Sequence, residues 1–101
     1  MIEYELSEEF DKKFKHQDIR LKKALLKTLN IFSRNPWNSQ LDNHLLKREL
    51  TGLRSIHIIG YRSNDYCAIY KEILEKDGNI YAYFLIFGTH KELFQLSGVK
   101  N

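Results

Sequence analysis

Residues 66–87 read YCAIYKEILEKDGNIYAYFLIF, and this stretch decides the fold. Both of its halves are rich in the β-branched and aromatic residues that strands favour. Asp77-Gly78 lies between them and is a strong signal for a tight hairpin turn. Residues 80–87 are apolar on both faces, which indicates an interior strand. The sequence therefore predicts a β-hairpin in the middle of a sheet.

Two further strands are predicted outside this hairpin. Residues 53–59, LRSIHII, alternate so that Arg54 and Ile56 share one face while Ser55 and His57 share the other. Residues 2–6, IEYEL, alternate apolar and acidic side chains and predict a short strand with one solvent-exposed face. We expect both to join an antiparallel sheet.

Residues 7–35 predict a helical hairpin. Ser7 and Asp18 are suitable N-caps for its two helices, and Pro36 ends the second. One apolar stripe runs along the second helix at spacings of four and three: Leu21, Leu25, Leu29 and Phe32. Near the C-terminus, Thr89 and Glu92 form a capping box that predicts a short last helix. The fold class is α+β, with the helical hairpin packed on one face of the sheet.

Length and composition restrict the classes of function. The 101 residues fit one small domain spanning 1–101, and a net charge of +3 permits an acidic partner without requiring one. No apolar run approaches the roughly 20 residues of a membrane helix, and MIEYELSEEF is unlike a secretory signal. A single cysteine, Cys67, excludes an internal disulfide and a thiolate metal cluster. We expect a cytoplasmic protein that does not contact membranes.

Histidines are the residues best suited to chemistry here, because an imidazole titrates near neutral pH. His44, His57 and His90 come from separate segments that could meet at one cleft, whereas His16 lies on the wet side of the helical hairpin. A histidine on a half-buried strand is more commonly a hydrogen-bonded structural residue than a catalyst. No pair has the i, i+4 spacing of a helical metal site, so we expect no metal and no other cofactor.

Basic residues near the histidines are candidates for binding phosphate. Lys47, Arg54 and Arg62 lie between the predicted helical hairpin and the strand that begins at residue 66. Acidic neighbours nearly cancel their charge, so a solvated surface is the alternative interpretation.

Three segments together resemble the RelE/ParE superfamily of bacterial toxins, and within it the YafQ-type messenger-RNA interferases. The segments are residues 44–57, HLLKRELTGLRSIH, residues 65–70, DYCAIY, and residues 88–94, GTHKELF. Their order and spacing carry the likeness, which spans about half of the chain. Three departures accompany it. Ser55 stands where some members have an aspartate, Arg48 replaces a usual glycine, and the connection before Asp65 is long.

The resemblance implies a ribosome-dependent endoribonuclease that cuts messenger RNA by metal-free acid and base catalysis. It implies catalytic roles for His44, His57, Asp65 and His90, with Phe94 contacting a base and Arg54 matching the family's strand arginine. His90 leads as general acid, and Asp65 or His57 as base. The implied partners are the ribosome, messenger RNA and a cognate antitoxin, with the chain a monomer or part of a toxin–antitoxin complex.

Two other functions remain open from the sequence. ParE-like members of the same superfamily inhibit DNA gyrase by binding and would not need the histidines. A small structural or regulatory binding domain is the third. We expect His57 and His90 to share one face near Arg54 in a nuclease, and to point apart in an inhibitor that acts by binding.

Overall fold

The computed structural model describes residues 1–61 and 65–96 and has the predicted α+β architecture. Five strands form one sheet: β1 (Glu3–Leu6), β2 (His44–Leu45), β3 (Leu53–His57), β4 (Tyr66–Leu74) and β5 (Ile80–Thr89). Three α-helices accompany it: α1 (Glu8–Lys15), α2 (Ile19–Arg34) and α3 (His90–Leu96). Short 3-10 turns occupy Ser39–Leu41 and Arg48–Leu50. Within the described ranges no helix combines the length and apolar character that crossing a membrane requires.

The strand order is β1-β5-β4-β3-β2, and the sheet is mixed rather than wholly antiparallel as expected. The first strand pairs with β5 in parallel, and the other three pairs are antiparallel. The helical hairpin carries the chain to the far edge of the sheet, and the four later strands return it to β1. Alternation within a strand does not encode its direction, so the sequence could not give this parallel pair.

The helix boundaries follow the predicted caps. Ser7 Oγ accepts a hydrogen bond from the Phe10 amide at 3.0 Å, and Asp18 Oδ1 accepts one from the Leu21 amide at 2.8 Å. The second helix ends just before Asn35, whose backbone is extended as a residue preceding proline requires. Residues 7–35 therefore form the helical hairpin that the sequence predicted.

Two clusters of buried side chains lie on opposite faces of the sheet. The larger is on the α1–α2 face, where the helical hairpin packs its stripe against Ile56, Ala68 and Phe84. The smaller is on the α3 face and consists of Leu46, Cys67, Ile69, Leu93 and Phe94. Alternate residues of β3 and β4 belong to alternate clusters, so the face of each side chain follows from its position along the strand.

The connection between β2 and β3 contains a left-handed residue that is not glycine. Arg48 has a φ of 58°, a conformation that glycine adopts more readily than a residue with a Cβ atom. This is the position where the resembling toxins usually have glycine. Arg48 therefore holds a left-handed backbone at the cost of local strain.

Candidate active site

His57 and His90 come together on the α3 face. His57 is the last residue of β3, and His90 is the first residue of α3, directly after β5. Both flank β4, in which Cys67 pairs with His57 on one side and with Gly88 on the other. The two imidazole rings have centroids 6.1 Å apart and an interplanar angle of 62°. Two separate segments therefore supply neighbouring groups able to transfer protons.

The capping box fixes the backbone that carries His90. The Thr89 amide donates to Glu92 Oε1 at 3.1 Å, and the Glu92 amide donates to Thr89 Oγ1 at 3.1 Å. The hydrogen bond from the Thr89 backbone, together with the Lys13 ammonium, lowers the pKa of Glu92. His90 itself donates its amide to the Asp65 carbonyl at 3.1 Å, and its Nδ1 lies 3.3 Å from the same oxygen.

Asp65 and Phe94 complete the surroundings of His90. The Asp65 side chain is exposed just before β4, and its carbonyl receives both His90 contacts. The Phe94 ring lies 5.4 Å from the His90 ring and is 6% exposed. A phenyl ring so covered orients the imidazole against the α3 cluster and offers little surface for stacking on a base.

His44 joins the same face from β2. It pairs directly with Ser55, which shares the face of His57 two residues along β3. Asp42 lies between the two histidines: its Oδ2 is 3.9 Å from Nδ1 of His44 and 3.8 Å from Nε2 of His57. The Asp42 carbonyl is 2.8 Å from Nδ1 of His44. The sequence analysis did not assign Asp42 to the site, although its position two residues before His44 was a usable signal.

Cys67 and Ser55 form the buried floor beneath the histidines. Burial raises the pKa of the Cys67 thiol to about 11, a hydrogen bond to Ser55 opposes this shift, and the Asp65 charge adds to it. The thiol is therefore protonated at neutral pH and is a poor nucleophile.

Arg54 lies on the α1–α2 face, away from the histidines. Its Nε donates to Asn43 Oδ1 at 2.7 Å, and its guanidinium carbon is 4.6 Å from the centre of the Trp37 ring. Asn43 in turn donates to the Tyr70 hydroxyl at 2.8 Å. The expected placement of Arg54 beside the paired histidines is wrong, because residues three apart on a strand point to opposite faces.

Lys47 is not placed beside the histidines either. Lys47 is exposed after β2, next to Leu46, whose amide bonds to the Leu53 carbonyl at the opposite end of β3 from His57. Arg62 lies outside the described residues.

The cluster is suited to proton transfer. On the α3 face the His57 and His90 rings are neighbours, the Asp42 carboxylate lies between His57 and His44, and Asp65 contacts His90 through its backbone carbonyl. Within residues 1–61 and 65–96, no three histidine, cysteine or acidic side chains are placed to hold a metal ion together. Paired imidazoles held a few ångströms apart are suited to general acid and base catalysis.

Solved structures of bacterial toxins share this fold, whereas no protein-family model and no curated protein sequence matches the chain. The YoeB/ParE toxin from Agrobacterium tumefaciens matches with a TM-score of 0.66 at 12% identity, covering 88% of this chain and 99% of that one. RelBE2 from Mycobacterium tuberculosis matches with a TM-score of 0.63 at 17% identity, and the match covers 88% of this chain and 98% of that one. At these identities the likeness shows the fold alone.

YafQ from E. coli is more similar in sequence. It is 26% identical to this chain, with a TM-score of 0.58, and the match covers 93% of this chain and 99% of YafQ. This likeness spans nearly the whole chain, whereas the sequence segments that indicated it span about half. The chain has a RelE/ParE-like toxin fold, and its resemblance to YafQ is confirmed.

Proposed function

We propose that this protein is the toxin of a type II toxin–antitoxin system and a ribosome-dependent endoribonuclease that cuts messenger RNA. The observation that carries the proposal is the His57–His90 pair, whose rings lie 6.1 Å apart on one face with His44 and Asp65 beside them. An inhibitor acting only by binding would have no need of this convergence. The likeness to YafQ supports the same assignment.

Cleavage without a metal needs three contributions at the scissile phosphate. A base removes the proton of the ribose 2′-hydroxyl, whose oxygen attacks phosphorus. An acid protonates the 5′-oxygen as its bond to phosphorus breaks, which leaves a cyclic phosphate. Hydrogen-bond donors stabilise the charge on the remaining phosphate oxygens. Each positioned acid or base contributes about 10²–10⁴-fold to the rate.

The residues of the α3 face can fill these roles. His90 is the general acid, because it stands half-exposed on a backbone that the capping box holds. The base is Asp65 or His57, and His44 shares protons with them. Phe94 orients His90 by packing against its ring. The donors to the phosphate are imidazole N–H groups, since Arg54 is engaged on the other face.

The net charge of the chain and the structurally similar toxins support the proposed partners. A net charge of +3 is small for a protein that binds RNA without help, so the ribosome presents the message to the site. Two neighbours were solved as complexes, RelBE2 as a toxin–antitoxin complex and YafQ with DinJ. We propose a cognate antitoxin for this chain as well, and action in the cytoplasm.

Expression in bacteria, with transcript ends mapped with and without translation, tests this function. We expect growth arrest, cuts within translated messages, and protection of the same messages when ribosomes are kept off them. Efficient cutting of naked RNA by the pure protein would contradict the ribosome requirement. Intact transcripts accompanied by DNA damage would instead indicate gyrase inhibition.

A further inference from the structure

The His57 ring has one buried and one accessible nitrogen. Its Nδ1 is buried and has no hydrogen-bond partner among the described residues. Its Nε2 faces the Asp42 carboxylate at 3.8 Å. A buried N–H without an acceptor is rarer and costlier in proteins than an under-used acceptor, so a proton on Nδ1 is disfavoured. The neutral ring therefore carries its proton on Nε2.

The His44 ring is held in the opposite way. Its Nδ1 lies 2.8 Å from the Asp42 carbonyl, and a carbonyl oxygen can only accept. The proton of the neutral His44 ring is thus on Nδ1, and its lone pair is on Nε2. Asp42 has a φ of 46° and a ψ of 50°, and this left-handed backbone turns its carbonyl toward one ring while its carboxylate faces both.

We propose that Asp42 is a positioning residue of the site, one that holds His57 and His44 in opposite tautomers. It supplies a carboxylate on the face where some of the resembling toxins have an aspartate and this chain has the buried Ser55. The catalytic consequence rests on the proposed function. In the free protein the Nε2 N–H of His57 faces Asp42 at 3.8 Å, too far for a hydrogen bond, and in the complex with message it donates to a phosphate oxygen; His57 is therefore not the base, and that role is left to Asp65.

The imidazole ¹⁵N spectrum of the free protein tests the tautomers without any activity. We expect the proton on Nε2 of His57 and on Nδ1 of His44. Asp42→Asn keeps the backbone carbonyl and suits a left-handed position, so His44 should keep its tautomer while the Nε2 signal of His57 moves. The matched control is Glu49→Gln, an exposed charge removal in the next turn, which should move neither ring. A proton on Nδ1 of His57, or a His57 signal that Asp42→Asn leaves in place, would overturn the proposal.

Cleavage on programmed ribosomes tests the donor role. The amide of glutamine can place an N–H near the position of Nε2 but cannot act as a base. We therefore expect His57→Gln to cut about tenfold faster than His57→Ala. Asp42→Asn should cut about 10–100-fold more slowly than the parent, a loss of the size seen when a metal-binding histidine loses the group that orients it. Glu49→Gln should cut normally. Equal rates for the two His57 variants, both folded by circular dichroism, would contradict the donor role.

The two proposals fail in different ways. If the parent protein cuts no message on ribosomes, the proposed function falls, and the ¹⁵N spectra still decide whether Asp42 sets the tautomers. If the parent cuts and the spectra show the other tautomer, the role of Asp42 falls and the nuclease remains.

Discussion

The two faces of the sheet differ in what they hold. On the α1–α2 face, aromatic rings pack edge to face. The centroid of the Phe32 ring is 5.0 Å from that of Tyr70 and 5.2 Å from that of Phe84. The α3 face has a smaller cluster, and the histidines lie beside it within reach of water. We therefore expect stability to depend mainly on the α1–α2 face and the proposed cleavage on the α3 face. Substitutions on one face should change the free energy of unfolding, and substitutions on the other should change the rate of cleavage.

The largest effect on stability should come from the α2 stripe. Leu25 is 1% exposed in the main cluster, so Leu25→Ala should lower the free energy of unfolding by about 2–5 kcal/mol by leaving a cavity. Leu26, its neighbour, is 56% exposed, and Leu26→Ala should cost less than about 0.5 kcal/mol. Denaturant unfolding measures both. A loss well under 1 kcal/mol for Leu25→Ala would show that this stripe is not core.

Arg54 gives a second test of the division between the faces. Arg54→Ala removes the hydrogen bond to Asn43 and the packing on Trp37, and should lower stability by about 1–3 kcal/mol. Cleavage per folded molecule should stay near the parent rate, because the guanidinium lies away from the histidines. A folded Arg54→Ala protein that cuts a hundredfold more slowly would mean that the arginine reaches the phosphate after all.

Acid should weaken the α3 face through Glu92. Its pKa is lowered in the folded protein from an ordinary value of 4.5, so its contribution is full above pH 4.5 and is lost as the pH falls through the folded value. The side chain is 51% exposed, which limits the effect to about 0.5–1 kcal/mol, as for a helix cap. Glu92→Gln should reduce this pH dependence in thermal melts between pH 6 and pH 3. The same slope in both proteins would show that the charge of Glu92 does not stabilise α3.

The smallest effect should come from Arg48. Arg48→Gly removes the strain of the left-handed backbone in the folded protein. It also raises the conformational entropy of the unfolded chain, so the two effects on stability oppose each other. We expect stability to rise by no more than about 1 kcal/mol, with cleavage unchanged. Destabilisation by more than that amount, measured by denaturant unfolding, would mean that the arginine side chain makes a stabilising contact.

Local patterns in the sequence were sufficient for much of the fold. Apolar spacing and caps gave the helical hairpin, since Ser7 and Asp18 act through bonds three residues away. The β4–β5 hairpin followed from Asp77-Gly78, and the last helix from the Thr89–Glu92 capping box. Each of these signals is short in range, so it can be read without knowing the rest of the molecule.

The features that could not be predicted from the sequence depend on contacts between distant segments. The two-residue strand β2 is too short for any periodicity, yet it brings His44 opposite Ser55. Asp42 belongs to the site only because the chain turns left-handed there. Strand alternation correctly predicted that Arg54 and His57 lie on opposite faces of β3, whereas the resemblance implied that Arg54 contacts the phosphate.

The central claim is that the α3 face cuts RNA with His90 as its general acid. The most direct measurement is single-turnover cutting on programmed ribosomes by His90→Ala, with His16→Ala as the matched control on an exposed helix end. We predict that His90→Ala keeps its fold and melting temperature and cuts about 10²–10⁴-fold more slowly, while His16→Ala matches the parent. A folded His90→Ala protein that cuts at the parent rate would contradict the account.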